Sequence, residues 1–451
     1  METILANRLK YHLESNNLLS ENQCGFRNKR STTDQLLRLE ADIKLAFNAK
    51  RKSDRNLIAI FLDLEKAFDL VWTKGLRAKL NHFGITGRMI RLIENFLTGR
   101  KITVKVGNSY SEEYPLDNGT PQGSVLSPTL FNLMINDLDK NLTSNKMNIS
   151  QFADDGGIWR AGNPAANQVI SEIQSSLDNI GRWADKWGFK ISQDKTVAII
   201  FTPKRKINLI YPKLYIQNQL IKYVTVVRFL GMYFDSHLSW NHHINHLITA
   251  CNKDINLLKN IKGSTWGSGQ KTMLTIYRAL IRSKLDYGCR VYNSAKQPLL
   301  QKLDAIQRKA LAICTLPSTS LDEVQIPTGD LPLRLRRQEL MLRYSIRLLT
   351  HTDMHPTRLA INKCNKTFSR KLVPNLPDGK IILEMRKEIP ILEQLEKYMK
   401  TPDPAPWINS KPRINTKATK YDNKMGQELS LKAIITEEIL DNYSSFVKNL
   451  H

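Results

Sequence analysis

The sequence predicts an α+β fold followed by a helical region. Over residues 1–235, short β-type runs alternate with helix-period segments, without the regular strand–helix–strand repeat of a doubly wound sheet. Residues 241–350 instead repeat apolar side chains at the three-to-four spacing of one buried helix face. A length of 451 residues favours two or three domains, and a hydrophobic content of 41% is enough for their cores.

Apolar, β-branched runs mark the strands of the first region. The predicted strands cover 56–63, 101–106, 148–152, 196–201 and 226–234. Predicted helices cover 87–97, 124–142, 165–187 and an amphipathic segment in the first 20 residues. That first segment carries charges throughout, which excludes a signal peptide, and no apolar run approaches the length of a membrane span. We therefore expect an intracellular protein that does not contact a membrane.

Three helices are predicted in the second region, and the amino-acid composition changes after them. Their apolar faces lie within 244–258, 273–281 and 303–313. From about residue 365, Lys, Asn and Pro accumulate and only short helix-like pieces remain. The stretch 365–451 is therefore predicted to be a basic, weakly ordered extension.

The charge balance points to a polyanionic partner. Lys and Arg number 67 against 42 Asp and Glu, which leaves a net charge of +25. Nucleic acid is the commonest partner of such a surplus, although a merely soluble basic protein would share it.

Cysteine and histidine give weak metal-binding signals. The five cysteines are odd in number and widely spaced, with no C-x-x-C pair, so reduced and mostly buried thiols are expected. His242, His243 and His246 have helical ligand spacing, but no acidic partner is evident nearby in the sequence. The surface of a helix is the favoured interpretation of these histidines, with zinc as the lesser alternative.

Two acidic motifs stand at the ends of apolar strands. Asp63 ends the run IAIFLD, where a carboxylate is costly unless a cation meets it, although a helix N-cap would also explain it. Asp154 and Asp155 end a second strand in QFADDGG. Both serve one site only within a tight hairpin, which Gly156 and Gly157 would permit, and an ordinary polar turn has the same composition.

Together the two motifs fit phosphoryl transfer. Strand-end carboxylates in a basic protein can hold two divalent ions against the phosphates of a nucleotide and an attacking 3′-hydroxyl. Mg²⁺ suits such a site, with Mn²⁺ as a substitute. Between the motifs, the loop of Pro121, Gln122 and Gly123 can approach a base pair closely because Gly123 has no side chain, and Ser124 is the predicted N-cap of the next helix.

In this order the motifs resemble the reverse transcriptases of non-LTR retrotransposons, closest to the jockey-like and LINE-type elements. The resembling segments are LLSENQCGFRNKRSTTDQLL (18–37), FLDLEKAFDLVW (61–72), residues 96–128 ending in NGTPQGSVLSP, QFADDGGIW (151–159), WGFKISQDKT (187–196), FLGMYFDSHLSWNHHI (229–244) and LPLRLRRQELMLRY (331–344). They extend over roughly residues 5–350. The resemblance thus covers both the mixed region and the helical one.

The resemblance implies a right-hand polymerase. Residues 1–55 would be partial fingers. Residues 56–235 would be the palm with its antiparallel sheet, the remaining fingers elements and a primer-grip hairpin at 229–235. A helical thumb and connection would occupy 236–364, followed by the basic extension at 365–451.

By resemblance, Asp63 and Asp154 are the two main metal ligands and Asp155 is their auxiliary. Phe68, five residues after Asp63, resembles the steric gate that excludes a ribose 2′-hydroxyl by clash. Without the family context, a core aromatic at the start of a helix would be the simpler interpretation of Phe68.

Five further residues acquire roles from the resemblance. Gln122 and Gly123 would face the incoming nucleotide and the template. Arg27 and Arg30 would hold the triphosphate, or one of them would contact template phosphate. Lys195 resembles the general acid that protonates the leaving pyrophosphate, although a solvated surface lysine needs no such role.

The implied function is RNA-directed DNA polymerisation in the nucleus and cytoplasm, with an RNA template, a DNA primer and deoxynucleoside triphosphates as partners. A full element of this kind carries an endonuclease domain and a further fingers segment upstream, and we expect neither in this chain, which would start within the fingers. A truncated, catalytically weak relic that retains nucleic-acid binding is the alternative. A maturase-like cofactor would need an intron-binding domain after the thumb, and residues 365–451 lack its periodicity.

Overall fold

A computed structural model describes residues 1–203, 211–262, 268–315, 328–349, 351 and 354–367 of the chain. The predicted extension at 365–451 lies outside these residues apart from the end of one helix. All described residues belong to one compact unit. No helix within these ranges combines the length and the apolar character that crossing a bilayer would require.

Helices and strands alternate up to residue 235, and helices follow. The helices are α1 (Glu2–Ser15), α2 (Thr32–Phe47), α3 (Thr73–His82), α4 (Gly87–Leu97), α5 (Ser127–Ile135), α6 (Asn167–Trp187), α7 (Asn241–Ile261), α8 (Gln270–Tyr277), α9 (Ser283–Asp286), α10 (Cys289–Tyr292), α11 (Gln297–Cys314), α12 (Leu333–Leu349) and α13 (Pro356–Thr367). The strands are β1 (Leu57–Leu62), β2 (Leu64–Glu65), β3 (Arg100–Ile102), β4 (Lys105–Val106), β5 (Ser109–Tyr110), β6 (Tyr114–Leu116), β7 (Met147–Phe152), β8 (Asp155–Ala161), β9 (Lys190–Ile191), β10 (Val197–Phe201), β11 (Tyr215–Ile216), β12 (Gln219–Leu220), β13 (Lys222–Tyr223), β14 (Val226–Phe229) and β15 (Met232–Asp235). The α+β prediction is confirmed.

One five-stranded sheet organises the first region. Its strand order is β13-β10-β1-β8-β7, and every pairing except the parallel β10–β13 contact is antiparallel. The predictions of strands at 56–63, 148–152 and 196–201 are confirmed by β1, β7 and β10. All six residues of β1 are buried, because helices cover both faces of this central strand.

Alternate side chains of β1 enter two different cores. Leu57, Ala59 and Phe61 belong to a core shared with α2, α7 and the helices that follow. Ile58, Ile60 and Leu62 belong to a second core, built with α5 and α6. The two-residue period of a strand divides them in this way, so β1 joins the two halves of the described unit.

Three predicted elements are corrected by the structure. The stretch 101–106 is not one strand, because it is interrupted at residues 103–104: β3 before the break pairs with β6, and β4 after it pairs with β5 across the turn at Gly107 (φ +61°). The stretch 226–234 is a hairpin, β14–β15, that turns at Leu230 and Gly231. The helix predicted at 124–142 is α5 followed by a separate 3₁₀ turn at Leu138–Asn141.

Ser124 lies before α5, but its hydroxyl oxygen still accepts hydrogen bonds from the first backbone N–H groups of the helix. Leu126 is the N-cap residue. The backbone N–H groups of Leu126 and Ser127 each donate to Ser124 Oγ over 3.1 Å. The predicted cap is therefore wrong in position, while the hydroxyl performs the capping function.

The helical predictions for the second region are confirmed, and two earlier helices are additional. The apolar faces at 244–258, 273–281 and 303–313 lie on α7, on α8 with the π-helical segment Arg278–Arg282, and on α11. Helices α2 and α3 are absent from the prediction. The capping box of Ser31 and Asp34 at the start of α2 is a local signal that marks this helix in the sequence.

An N-terminal segment braces the end of β7. The Cys24 N–H donates to the Gln151 carbonyl over 2.9 Å, and the Gln151 N–H donates to the Asn22 carbonyl over 3.1 Å. Gly25 lies so close to the next turn that a Cβ atom added to it would stand 2.3 Å from the Ala153 backbone nitrogen. Only glycine permits this approach.

We expect Gly25→Ala to lower the free energy of unfolding by about 1–3 kcal/mol, because the added methyl group overpacks a backbone contact. Urea denaturation at an unchanged m-value measures the difference. Gly181→Ala in α6 is the matched control, since its Cβ would make only ordinary contacts with Gln217, at 3.4 Å from the side chain and 3.9 Å from the backbone nitrogen. The control should be neutral or more stable by up to about 1 kcal/mol through helix propensity, and equal destabilisation of both variants would contradict the bracing role.

Candidate active site

Strand register brings three aspartates to one end of the sheet. Leu62 of β1 is paired with Gly156 of β8, so the next residue, Asp63, stands opposite Asp155. Asp155 is in turn the partner of Phe152 on β7, which places Asp154 in the intervening turn. The N-cap interpretation of Asp63 is wrong, because strand β2 follows it and the next helix begins only at Thr73.

Asp154 lies in a two-residue hairpin turn. Phe152 and Asp155 are paired, and Ala153 takes the positive φ of the turn at +55°. The prediction of a tight hairpin is confirmed, but the role given to Gly156 and Gly157 is wrong, since both are buried strand residues of β8. A Cβ atom on Gly157 would lie 3.2 Å from the Phe61 ring, so this glycine permits close packing inside the sheet.

The negative charges of the cluster are only partly balanced. Partial desolvation, followed by the charges of Asp154 and Asp63, raises the pKa of Asp155 above its ordinary value. Lys195 Nζ lies 3.3 Å from Asp63 Oδ2 and supplies a neighbouring cation. Because the Lys195 side chain is 71% exposed, water screens this pair and it remains a weak one.

The donor set fits divalent ions of the hard class. Asp63, Asp154 and Asp155 offer carboxylate oxygens alone, which are the ligands that Mg²⁺ and Mn²⁺ prefer. Desolvation first, and then the charges of Asp154 and Asp63, disfavour the ionised carboxylate of Asp155, and a bound cation would stabilise it. Among the described residues, the three aspartates do not bring three ligand atoms within 4.8 Å of one another. A different group of side chains does so.

Phe68, five residues after Asp63 in the chain, is held in place by aromatic contacts. Its ring is half-buried, stacks on Phe131 with 4.5 Å between centroids and meets Phe26 edge-on at 6.2 Å. The Thr120 N–H donates to its carbonyl oxygen over 2.9 Å. The ring therefore packs on the core and remains partly accessible, and its role as a steric gate stays a prediction.

The Pro121-Gln122-Gly123 loop folds over the turn that carries Phe68. Gln122 Nε2 donates to Asp69 Oδ1 over 3.0 Å. Gly123 has a φ of +85° and no heavy atom within 4 Å of the position that a Cβ would take. The glycine thus leaves an open surface at this loop, and its position against a nucleotide or template stays a prediction. Asp69 is a supporting residue that the sequence did not reveal.

Comparison with known families agrees with this geometry. The family described as reverse transcriptase (RNA-dependent DNA polymerase) matches residues 1–234, which include the five-stranded sheet and all three aspartates. The chain belongs to the reverse transcriptase family. Its mixed α+β architecture, with a mostly antiparallel sheet followed by helices, is the one expected of a right-hand polymerase.

Relatives of this chain come from mobile elements. A probable RNA-directed DNA polymerase from transposon X-element of Drosophila melanogaster is 27% identical over 317 residues, 70% of this chain and 34% of the relative. The probable polymerase from transposon BS of the same species is 26% identical over 389 residues, 82% of this chain and 41% of the relative. The RNA-directed DNA polymerase from mobile element jockey of Drosophila melanogaster is 26% identical over 316 residues, which are 69% of this chain and 34% of the relative. The chain spans about a third to two fifths of the length of these relatives.

Solved structures of telomerase also align with this reverse transcriptase. The telomerase of Candida tropicalis in complex with a TWJ fragment of telomeric RNA has a TM-score of 0.43 and 13% identity, over 87% of this chain and 57% of that one. The apo telomerase of the same species has a TM-score of 0.41 and 11% identity, over 88% of this chain and 58% of that one.

Arg27 and Arg30 of the reverse transcriptase are engaged with glutamates. Arg27 Nη2 lies 2.6 Å from Glu14 Oε2, and Arg30 Nη2 lies 2.5 Å from Glu21 Oε2. Their side chains are only 5% and 8% exposed. In this conformation both guanidinium groups stabilise the N-terminal segment, and their role at a triphosphate stays a prediction.

The histidines of α7 divide into two kinds. His242 and His246 are exposed and lie against the Tyr233 ring, at centroid distances of 5.0 and 4.8 Å. His243 is buried, and burial lowers its pKa to about 4. The surface interpretation is thus confirmed for two of them and wrong for His243. All five cysteines are free and buried, as predicted.

We expect Asp155→Asn to raise the free energy of unfolding near pH 7.5 in a metal-free buffer. The folded pKa of Asp155 lies above its unfolded value, so the ionised carboxylate opposes folding above the folded pKa, and this cost vanishes below the unfolded one. The gain should not exceed about 1 kcal/mol, because water screens this exposed side chain. Thermal unfolding at pH 7.5 and pH 3 in a chelating buffer measures it.

Asp194→Asn, at an exposed position one residue from Lys195, is the control for that experiment and should leave stability unchanged. Added Mg²⁺ should stabilise the wild type more than Asp155→Asn. An Asp155→Asn protein that is less stable than the wild type in chelator at pH 7.5 would contradict the repulsion described here.

Proposed function

We propose that this chain is an RNA-directed DNA polymerase of a non-LTR retrotransposon, which extends a DNA 3′-hydroxyl on an RNA template with deoxynucleoside triphosphates. The observation that carries the proposal is the group of three aspartates at the ends of β1, β7 and β8, next to Lys195. The names of the mobile-element relatives describe this activity. The net charge of +25 suits nucleic-acid partners.

Mg²⁺ is the proposed resident cation, with Mn²⁺ as a substitute. Asp63 and Asp154 would hold it as principal ligands, and Asp155 would assist. When bound, such ions lower the pKa of the attacking hydroxyl and neutralise charge on the leaving pyrophosphate. Removal of any one of these carboxylates reduces the negative charge that attracts the ions, so we expect the loss to appear as both weaker ion binding and slower chemistry.

Lys195 is the proposed proton donor. Its ammonium group stands beside Asp63 and remains mostly exposed, so it can reach a substrate that occupies the cluster. The proton would pass from Nζ to an oxygen of the leaving pyrophosphate as the bond to the α-phosphate breaks. Arg27 and Arg30 would contact phosphate only after exchanging their glutamate partners for it.

Phe68 is the proposed sugar gate. Stacking on Phe131 and the hydrogen bond to Thr120 fix the position of its ring, and a fixed ring excludes an extra hydroxyl more sharply than a mobile one. Gln122 and Gly123 would form the open surface against the nucleotide and the template, with Asp69 holding the Gln122 amide in place.

We also propose how the chain divides into the domains of a right-hand polymerase. Residues 1–55 are assigned to the fingers, 56–235 to the palm and 236–364 to the thumb and connection, with the hairpin β14–β15 as the primer grip. Since the proposed primer is DNA and the proposed template is RNA, the nucleus and cytoplasm are the proposed locations.

Primer extension tests the activity. The wild type should extend a labelled DNA primer on an RNA template in the presence of Mg²⁺, and Asp154→Asn should lower the rate by at least about 100-fold, because a principal ligand is lost. Asp194→Asn is the control and should retain the wild-type rate. A wild-type chain that binds primer–template with a steep salt dependence, yet extends no faster than Asp154→Asn, would favour the relic and defeat the polymerase proposal.

Sugar selectivity tests Phe68 separately. Phe68→Ala should raise the incorporation of ribonucleotides relative to deoxynucleotides by about 10- to 100-fold, since the wall against the 2′-hydroxyl is removed. Phe26→Ala is the control: it removes one edge contact of the Phe68 ring and leaves the ring itself on Phe131, so it should keep a selectivity close to that of the wild type. Equal selectivity in the wild type and Phe68→Ala would remove Phe68 from this role while leaving the polymerase proposal intact.

A further inference from the structure

A second group of metal-ligating side chains lies away from the sheet-end aspartates. Asp34 of α2, His351 after α12 and His355 before α13 each offer one ligand atom, and these atoms all lie within 4.8 Å of one another. The two imidazole rings stack, with 4.4 Å between their centroids. Asp34 and His355 are each 0% exposed.

The histidine nitrogens in this group lack partners. Both ring nitrogens of His355 are buried without a hydrogen bond in the described part of the chain, and so is His351 Nε2. Unpaired buried polar atoms are costly, and a native structure retains them where a ligand or water satisfies them. A neutral imidazole has one ring nitrogen with a free lone pair, so each ring can supply one ligand atom to a metal ion.

Asp34 retains the capacity to bind a cation. Its Oδ1 accepts the Tyr344 hydroxyl over 2.7 Å, and its Oδ2 accepts the Ser31 N–H over 2.6 Å and the Ser31 hydroxyl over 2.9 Å. A carboxylate offers about four lone-pair positions, so three hydrogen bonds leave one. These donors also fix the orientation of the carboxylate, as outer-shell groups do at metal sites.

The surrounding charges select the class of ion. Arg347 Nη2 lies 3.8 Å from Asp34 Oδ1, and Arg30 and Lys29 are close enough to act on His351. With a single carboxylate among these cations, an ion bound mainly by electrostatic attraction to oxygen, such as Mg²⁺ or Ca²⁺, is disfavoured. Zinc-class ions bind imidazole nitrogen strongly and need less negative charge.

We propose that Asp34, His351 and His355 form a structural site for a transition-metal ion of the zinc class. The ion would join two segments more than 300 residues apart in the chain. Asp34 belongs to the capping box of α2, and the His355 carbonyl accepts the Leu359 N–H of α13 over 3.0 Å. Thr357 Oγ1 already donates to the Asp34 carbonyl over 2.9 Å, so a bound metal would reinforce an existing contact between α2 and α13.

Metal titration of the full chain tests the site. The starting protein is His242→Gln/His246→Gln, because this exposed pair on α7 has the same four-residue spacing and could bind metal by itself. After chelator treatment, and in excess Mg²⁺ to occupy the sheet-end aspartates, Co²⁺ titration should give visible ligand-field absorption that saturates at about one ion per chain, and Zn²⁺ should abolish it. Excess Mg²⁺ should not compete.

His355→Gln in the same background should weaken Co²⁺ binding by at least about tenfold and remove the rise in melting temperature that Zn²⁺ produces. His351→Gln should act in the same direction, and circular dichroism confirms that each variant is folded. If both glutamine variants unfold, Co²⁺ titration of the starting protein still tests the proposal. Absence of saturable Co²⁺ absorption in it, or binding that both glutamine variants retain, would overturn the site.

Discussion

Antiparallel pairing between β1 and β8 is the constraint on which the candidate site depends. It aligns Asp63 with Asp155 and, through the β7–β8 hairpin, brings Asp154 beside them. Three like charges at one sheet end repel one another, so the arrangement persists only because the strands that carry them are fixed elsewhere. The fixing comes from β1, whose six buried side chains divide between two cores. Hydrophobic burial in the strands thus holds the carboxylates in an unfavourable electrostatic arrangement that a bound cation relieves.

The surroundings of the aspartates are rigid for separate physical reasons. Backbone hydrogen bonds tie the 22–25 segment to the end of β7. Aromatic stacking on Phe131 fixes Phe68, and the Gln122 amide is held by Asp69. These contacts connect residues far apart in sequence, and the N-terminal segment packs directly on the turn that carries Asp154. Positioning of this kind is what phosphoryl transfer requires of a protein, because bound ions supply much of the chemistry.

Local patterns predicted the parts of this site that depend on local chemistry. An apolar run ending in Asp63, and the order of motifs around the loop of Gln122, were sufficient to predict β1, the sheet-end carboxylates and the family. The positive φ at Ala153, the strand role of Gly156 and the contact of Lys195 with Asp63 were not predictable, because each depends on the register between distant strands. The same reason applies to the glutamate partners of Arg27 and Arg30. The group of Asp34, His351 and His355 has no sequence signal beyond a pair of histidines four apart, since its carboxylate comes from the opposite end of the chain.

The pairing of β1 also means that this strand is synthesised well before its partner strands. On the ribosome, Leu57 emerges 104 residues before its β8 partner Ala161 and 144 residues before its β10 partner Phe201. At about 5–20 residues per second, the strand waits roughly 5 to 30 seconds for its neighbours. A free apolar strand of this composition readily pairs with another chain. Charged residues border it on both sides, from Lys52 to Arg55 before it and at Asp63 and Glu65 after it, and such flanks oppose aggregation. The aspartate proposed to bind metal in the folded protein therefore also helps to keep the unfinished chain soluble.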